Sequence, residues 1–178
     1  MAAGTLSSKM SHSKSEEAVV EIRLARIPDE VPAIRDLFRE YADRLGIDLC
    51  FQSFEEELAS LPGAYAPPSG RLLVVDAGTE LAGCVACRRH ALGVCEMKRL
   101  YVRPAFRGLG LGRRLIDRLA ADAISIGYEA MVLDTLPVMA EAIGLYRSAG
   151  FVPIEPYTFN PVPGALYFRK PLTDVSGA

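Results

Sequence analysis

Arg107-Gly108-Leu109-Gly110-Leu111-Gly112-Arg113-Arg114 follows the apolar segment Leu100-Tyr101-Val102 and opens an amphipathic one. Glycines at 108, 110 and 112 let the backbone turn sharply and approach a ligand closely. A helix starting there aims free N–H groups and the positive end of its dipole at the same point. The stretch therefore reads as an anion cradle, suited to phosphate. A Rossmann loop needs Gly-x-Gly-x-x-Gly, and the third glycine here comes one residue early. A Walker A loop needs Gly-Lys-Ser/Thr, whereas Gly112 is followed by Arg113 and Arg114. What remains is Arg-x-x-Gly-x-Gly.

A second pattern lies downstream. Leu145-Tyr146-Arg147-Ser148-Ala149-Gly150-Phe151 reads as a helix end that stops at Gly-Phe and leads into a late strand. Between the two patterns lie a helix, a stop at Gly127 and a strand. Taken together and in this order, the two motifs resemble the GNAT (Gcn5-related) N-acetyltransferase family: Arg-x-x-Gly-x-Gly is similar to its acetyl-CoA pyrophosphate loop, and Leu-Tyr…Gly-Phe to its late signature. The resemblance is nearly continuous from Cys95 to Lys170 and is one of pattern before that.

Composition bounds the remaining choices. The 178 residues, half of them apolar, suit one domain with a real core. A net charge of -2 provides no basic field for nucleic acid. The local cluster of Arg103, Arg107, Arg113 and Arg114 is accounted for by one phosphate-bearing cofactor. No apolar run approaches the roughly 20 residues that span a bilayer, and no secretory apolar region follows Met1. These features predict a soluble, cytoplasmic protein with no membrane partner. Residues 1–18, rich in Ser and Lys, read as a flexible tail, and residues 19–174 as a single domain.

Cys84-x-x-Cys87 invites a zinc or redox reading. The pair falls within a strand-like run, where residues three apart face opposite ways, and no second Cys/His pair completes a zinc site. No metal is expected.

Periodicity supplies the elements. Val19–Arg26 alternates as a strand; Asp29–Leu45 places Val31, Ile34, Phe38, Tyr41 and Leu45 on one helical stripe that Gly46 closes. A short helix is predicted over Phe54–Ser60. Strands follow at Leu72–Ala77, Leu81–Arg88 and Val94–Val102, with a turn at His90–Gly93. Leu111, Leu115, Leu119 and Ala123, broadened by Ile116 and Ile126, mark the helix after the glycine loop. Ala130–Thr135 is a strand, Met139–Ala149 a helix, and Phe151–Ile154 and Ala165–Lys170 the last strands. The fold class is α/β in the α+β sense, a mixed and mostly antiparallel central sheet with helices on both faces, as the resemblance also implies.

The resemblance further implies a site. The strand end Leu100-Tyr101-Val102, through the backbone of Leu100 and Val102, would hold the pantetheine arm of acetyl-CoA. The amides of Arg107, Gly108, Leu109, Gly110, Leu111, Gly112 and Arg113 would hold the pyrophosphate. Tyr146 would protonate the departing thiolate, and Glu96 would serve as general base through a water, with Asp134 as a rival. Many relatives carry Asn seven residues before the Tyr; here that position is Met139, which cannot make the same hydrogen bond. Tyr157, Phe159 and Asn160, in the proline-rich segment 155–164, are expected to shape the acceptor pocket.

The implied activity is transfer of an acetyl group from acetyl-CoA to a primary amine, most simply a small molecule or amino acid, directly within a ternary complex. A protein N-terminus or lysine as acceptor, and a non-catalytic acyl-CoA-binding module, remain as alternatives. A homodimer is left open.

Overall fold

The computed structural model describes residues 20–46 and 53–172. The expected tail, Cys50 and the last residues of the expected domain lie outside them.

Seven strands form one sheet: β1 (Glu21–Leu24), β2 (Arg71–Asp76), β3 (Leu81–Ala91), β4 (Val94–Val102), β5 (Ala130–Thr135), β6 (Val152–Ile154) and β7 (Leu166–Pro171). Their spatial order is β1-β2-β3-β4-β5-β7-β6. Only β4 and β5 run parallel; every other neighbouring pair is antiparallel. Helices α1 (Val31–Leu45) and α2 (Phe54–Ser60) cover one face, and α3 (Leu111–Ile126) and α4 (Ala140–Ser148) the other. The expected fold class is the observed one. No described helix is long and apolar enough to cross a membrane.

Alternation along the strands builds two cores. Leu73, Val85, Cys87, Met97, Met131 and Leu133 point toward α3, whose Leu111, Leu115, Ile116, Leu119 and Ala123 form the facing stripe. Leu72, Val74, Cys84 and Ala86 point the other way, toward Ile34, Leu37 and Phe38 of α1 and Leu58 of α2. Cys84 and Cys87 thus occupy opposite faces of β3 and cannot share an ion. Purified protein should contain no stoichiometric zinc by elemental analysis, and replacing both cysteines with Ala should leave ligand binding intact. One zinc per chain would overturn this reading of β3.

Element boundaries moved for local reasons. Helix α1 starts at Val31 rather than Asp29, with Pro32 in its first turn and Glu30 at the N-cap. The Glu30 carboxylate accepts from the Arg23 guanidinium and the Arg26 amide. Strand β3 runs on to Ala91, where it pairs with Val94, so the expected His90–Gly93 turn contracts to Leu92-Gly93, with Gly93 at φ 69°.

The end of α4 is built by its sequence. Gly150 has φ 88°, its amide donates to the Arg147 carbonyl, and the Phe151 amide donates to the Tyr146 carbonyl. This is the paired Schellman closure of a helix. It brings Phe151 back onto the ring of Tyr146, with centroids 6.0 Å apart.

Candidate active site

The one parallel pairing comes apart. Strands β4 and β5 are in register at Val94↔Ala130, Cys95↔Met131 and Glu96↔Val132, and the pairing stops there, although β4 continues to Val102 and β5 to Thr135. On its other side β4 stays joined to β3, with a bulge: Cys84 faces Tyr101 and Ala86 faces Lys98, so three steps on β4 match two on β3. Arg99 takes up the extra residue at φ 59°. Beyond the bulge the Arg103 amide donates to Ala82 O on the β3 side. By alternation the backbone groups of Val102 and Leu100 face the open wedge, whereas those of Tyr101 face β3. Tyr101 contributes its ring, edge-on to Tyr41.

The glycine loop lies at the end of this strand. Gly108 and Gly110 have φ of 79° and 69°, and a Cβ added at either would meet nothing within 4 Å. The first intrahelical bond of α3 is Arg114 N–H to Gly110 O, so the preceding amides at the N-terminus point forward without intrahelical acceptors. Gly112 has a different role from its neighbours: a Cβ there would come 2.9 Å from Leu145 Cδ2, so its absence lets α3 pack against α4.

The arginines are mostly committed elsewhere. Arg103 donates to Glu40, Glu80 and Leu81 O, and Arg113 to Asp117 and Ser148 O. Arg107 Nε donates to Val102 O. One phosphate ligand therefore does not account for the whole basic cluster: the side chains of Arg103 and Arg113 are held by other groups of the protein.

Between the diverging strands lies a pocket walled by β4 from Met97 to Leu100, β5 and its extension from Leu133 to Leu136, Tyr41 and Leu45 of α1, Tyr146 of α4, and also Met139 and Asn160. Tyr146 is buried, its ring braced by Phe151 and Phe168. Among the described residues nothing is hydrogen-bonded to its hydroxyl, although the residue faces the pocket. Burial holds this phenol well above its ordinary range, so it keeps its proton. Met139 lines the pocket beside Thr135, whose hydroxyl lies 3.5 Å from the Met sulfur.

On the α1/α2 face of the wedge runs a chain of charges. Arg88 Nε donates to Glu96 Oε2 at 2.8 Å; Lys98 Nζ lies 3.6 Å from Glu96 Oε1 and 3.2 Å from Asp134 Oδ1; Asn160 Nδ2 donates to Asp134 Oδ2 at 2.8 Å. The Tyr157 hydroxyl donates to Glu96 Oε1 at 3.0 Å. Burial and the Glu96 charge push that phenol upward. Of the two carboxylates singled out from sequence, Asp134 lines the pocket and Glu96 lies behind it, connected through Lys98. Of the residues expected to shape an acceptor pocket, Asn160 lines the pocket and Tyr157 hydrogen-bonds Glu96 behind it. Phe159 does neither: it is 83% exposed.

Sequence reasoning missed Arg99 and Glu57. Arg99 is buried, with Nε donating to Glu57 Oε1 at 3.0 Å and Nη2 to Glu57 Oε2, and its guanidinium carbon is 5.1 Å from the Phe54 ring centroid. The signal was present in Lys98-Arg99, two consecutive cations in a strand whose only other charged residue is Glu96. Strict alternation would put one on each face; the bulge serves both.

The model of the acetyltransferase (GNAT) family matches residues 31–151. The chain belongs to the GNAT acetyltransferase family. Similar proteins include an uncharacterized N-acetyltransferase of Schizosaccharomyces pombe, 42% identical over 153 residues, covering 84% of this chain and 93% of the relative. An IAA acetyltransferase of Azospirillum brasilense is 37% identical over 109 residues, 60% of this chain and 71% of that one. Among solved structures, a GNAT acetyltransferase from Staphylococcus aureus covers 87% of this chain and 100% of its own, with TM-score 0.74 at 16% identity. This GNAT chain is accordingly an acetyl-transferring enzyme rather than a non-catalytic module. The splayed strands, glycine loop and Tyr146 lie inside the matched region, whereas Tyr157 and Asn160 lie beyond it.

Proposed function

We propose that the enzyme transfers acetyl from acetyl-CoA to the primary amine of a small molecule or amino acid. The observation that carries this reading is the wedge between β4 and β5, with the backbone of Leu100 and the Val102 amide facing it at one end, the Val102 carbonyl held by Arg107 Nε, and the forward-pointing amides of the glycine loop beyond. Pantetheine would take the place of a strand, and the amides from Arg107 to Arg113 would cradle the pyrophosphate. The thioester then comes to lie near Tyr146, whose buried and unpartnered hydroxyl suits the protonation of a leaving thiolate. The attacking nitrogen must first lose a proton. Glu96 is the proposed sink, reached through Lys98 or a water; because Asp134 lines the pocket and Glu96 does not, Asp134 is the second candidate. Cys84, Cys87 and Cys95 are buried in the two cores and do not line the pocket, which favours direct transfer in a ternary complex over an acyl-enzyme.

A small acceptor fits the way side chains close the pocket, with Tyr41 and Leu45 on one side and Asn160 on the other. One catalytic domain over 19–174 suffices for this chemistry. The three buried free thiols suit a reducing compartment such as the cytoplasm.

Acetyl-CoA should raise the melting temperature by mass action, and NAD or ATP should do so much less. Gly110→Phe tests the cradle. Its side chain meets open space, so the fold should survive with a penalty of about 1–2 kcal/mol for a non-glycine residue at positive φ. The shift by acetyl-CoA should disappear. An undiminished shift would place the cofactor elsewhere.

A further inference from the structure

One pocket wall holds a cation whose charge is balanced but whose hydrogen bonding is incomplete. The Arg99 side chain is 2% exposed. Its Nε and Nη2 edge is taken up by the two oxygens of Glu57, and Glu57 is itself fixed by the Tyr65 hydroxyl, which donates to Oε1 at 2.5 Å. Nη1, with two N–H groups, makes no hydrogen bond of ordinary length among the described residues, although the guanidinium interacts with the Tyr41 hydroxyl beside it. Buried donors are rarely left unmade, because each such group forfeits its hydration without return. Tyr41 flanks the same guanidinium, its ring centroid 5.8 Å from the Arg99 carbon, and both residues line the pocket.

The acceptors in the pocket are in the opposite condition. Asp134, the carboxylate on its wall, already receives Lys98 on one oxygen and Asn160 on the other. A ligand bringing only a cation would meet a carboxylate whose charge Lys98 already balances, and would leave the Arg99 donors idle. We infer that the acyl acceptor is an amine that also carries a carboxylate, and that Arg99 Nη1 binds this carboxylate as a specificity-determining contact. The inference rests on the N-acetyl transfer proposed above. The bulge at Arg99 gives the contact its physical origin. The extra residue at φ 59° breaks the alternation of β4, so that Arg99 lines the pocket beside Lys98, and Glu57 on α2 takes up one edge of the guanidinium.

The test is thiol release from acetyl-CoA by the full chain, offered amino acids in sets of three: each amino acid, its carboxamide and its decarboxylated amine. For accepted sets the amino acid should exceed the decarboxylated amine by roughly 10- to 100-fold in kcat/KM, the range for a charge-assisted hydrogen bond, with most of the difference in KM. The carboxamide should fall between them. Arg99→Gln should bring the ratio toward one, chiefly through loss of kcat/KM for the amino acid. Because that variant strands the Glu57 carboxylate, Glu57→Gln/Arg99→Gln is measured beside it, with the melting shift by acetyl-CoA reporting the fold. Should neither variant fold, the wild-type ratios decide alone. Equal use of amino acid and decarboxylated amine by the wild type, or an unchanged ratio in a folded Arg99 variant, overturns the inference. Thiol release with bare amines only would overturn it while sparing the proposed N-acetyl transfer. No thiol release with any amine would overturn both.

Discussion

Tyr146→Phe should lower kcat by about 10²- to 10⁴-fold, the usual contribution of a positioned general acid, while barely changing acetyl-CoA affinity. The lost hydroxyl serves a negative charge that develops only as the thiolate departs, so its removal is felt in the transition state and not in the bound ground state. Packing should be spared. The contacts that hold Tyr146 are ring contacts with Phe151 and Phe168, which phenylalanine retains, and no hydrogen bond to the hydroxyl is lost among the described residues. Melting temperature and the acetyl-CoA shift should therefore match the wild type. A loss well under tenfold in steady-state thiol release would mean that solvent or another donor protonates the thiolate.

Glu96→Gln should produce a defect of similar size that depends on pH. It should be greatest at low pH, where the acceptor is ammonium and needs a proton sink. Recovery should follow in alkaline solution, where the amine deprotonates without help. Stability also changes, since breaking a buried ion pair costs about 3–5 kcal/mol when the partner is left alone. The cost here should be smaller because Lys98 keeps Asp134 and the Arg88 side chain is 40% exposed. A kcat profile with the same defect at every pH would reduce Glu96 to a structural charge. If Asp134→Asn then showed the pH-dependent loss, the role of base would pass to the carboxylate on the pocket wall.

The parts of the site legible in the sequence are those made by backbone. Gly108 and Gly110 announce positive φ, Gly150 announces a helix end, and both features are local, so a short window carries them. The layers were equally legible, because alternation in β2 to β4 and the Leu111-Leu115-Leu119-Ala123 stripe each specify a face. Long-range side-chain assignments were not. Tyr41 and Leu45 continue the core stripe of α1 in sequence, but at the margin of that core they also become pocket wall. Glu57 reads as one of three consecutive acids on an exposed helix until Arg99, 42 positions later, is folded against it. Arg113 reads as a phosphate ligand until Asp117 and the end of α4 claim it. In each case the deciding partner lies where no local pattern can point.

The divergence of β4 from β5 also gives this sheet four edges where seven strands would ordinarily leave two. The outer pair is poorly suited to recruiting another chain: β1 has 4 residues, and β6 has 3, one of them Pro153. The inner pair is longer, since β4 runs unpaired on that side from Met97 to Val102. Unsatisfied strand backbone of this length is normally a template for aggregation. Here it lies within a V that closes at Glu96 and Val132, so a strand added to β4 would meet β5 on its other side. A guest in the V must fit between two strands at once, which disfavours another protein's strand and favours a slender linear molecule with amides of its own.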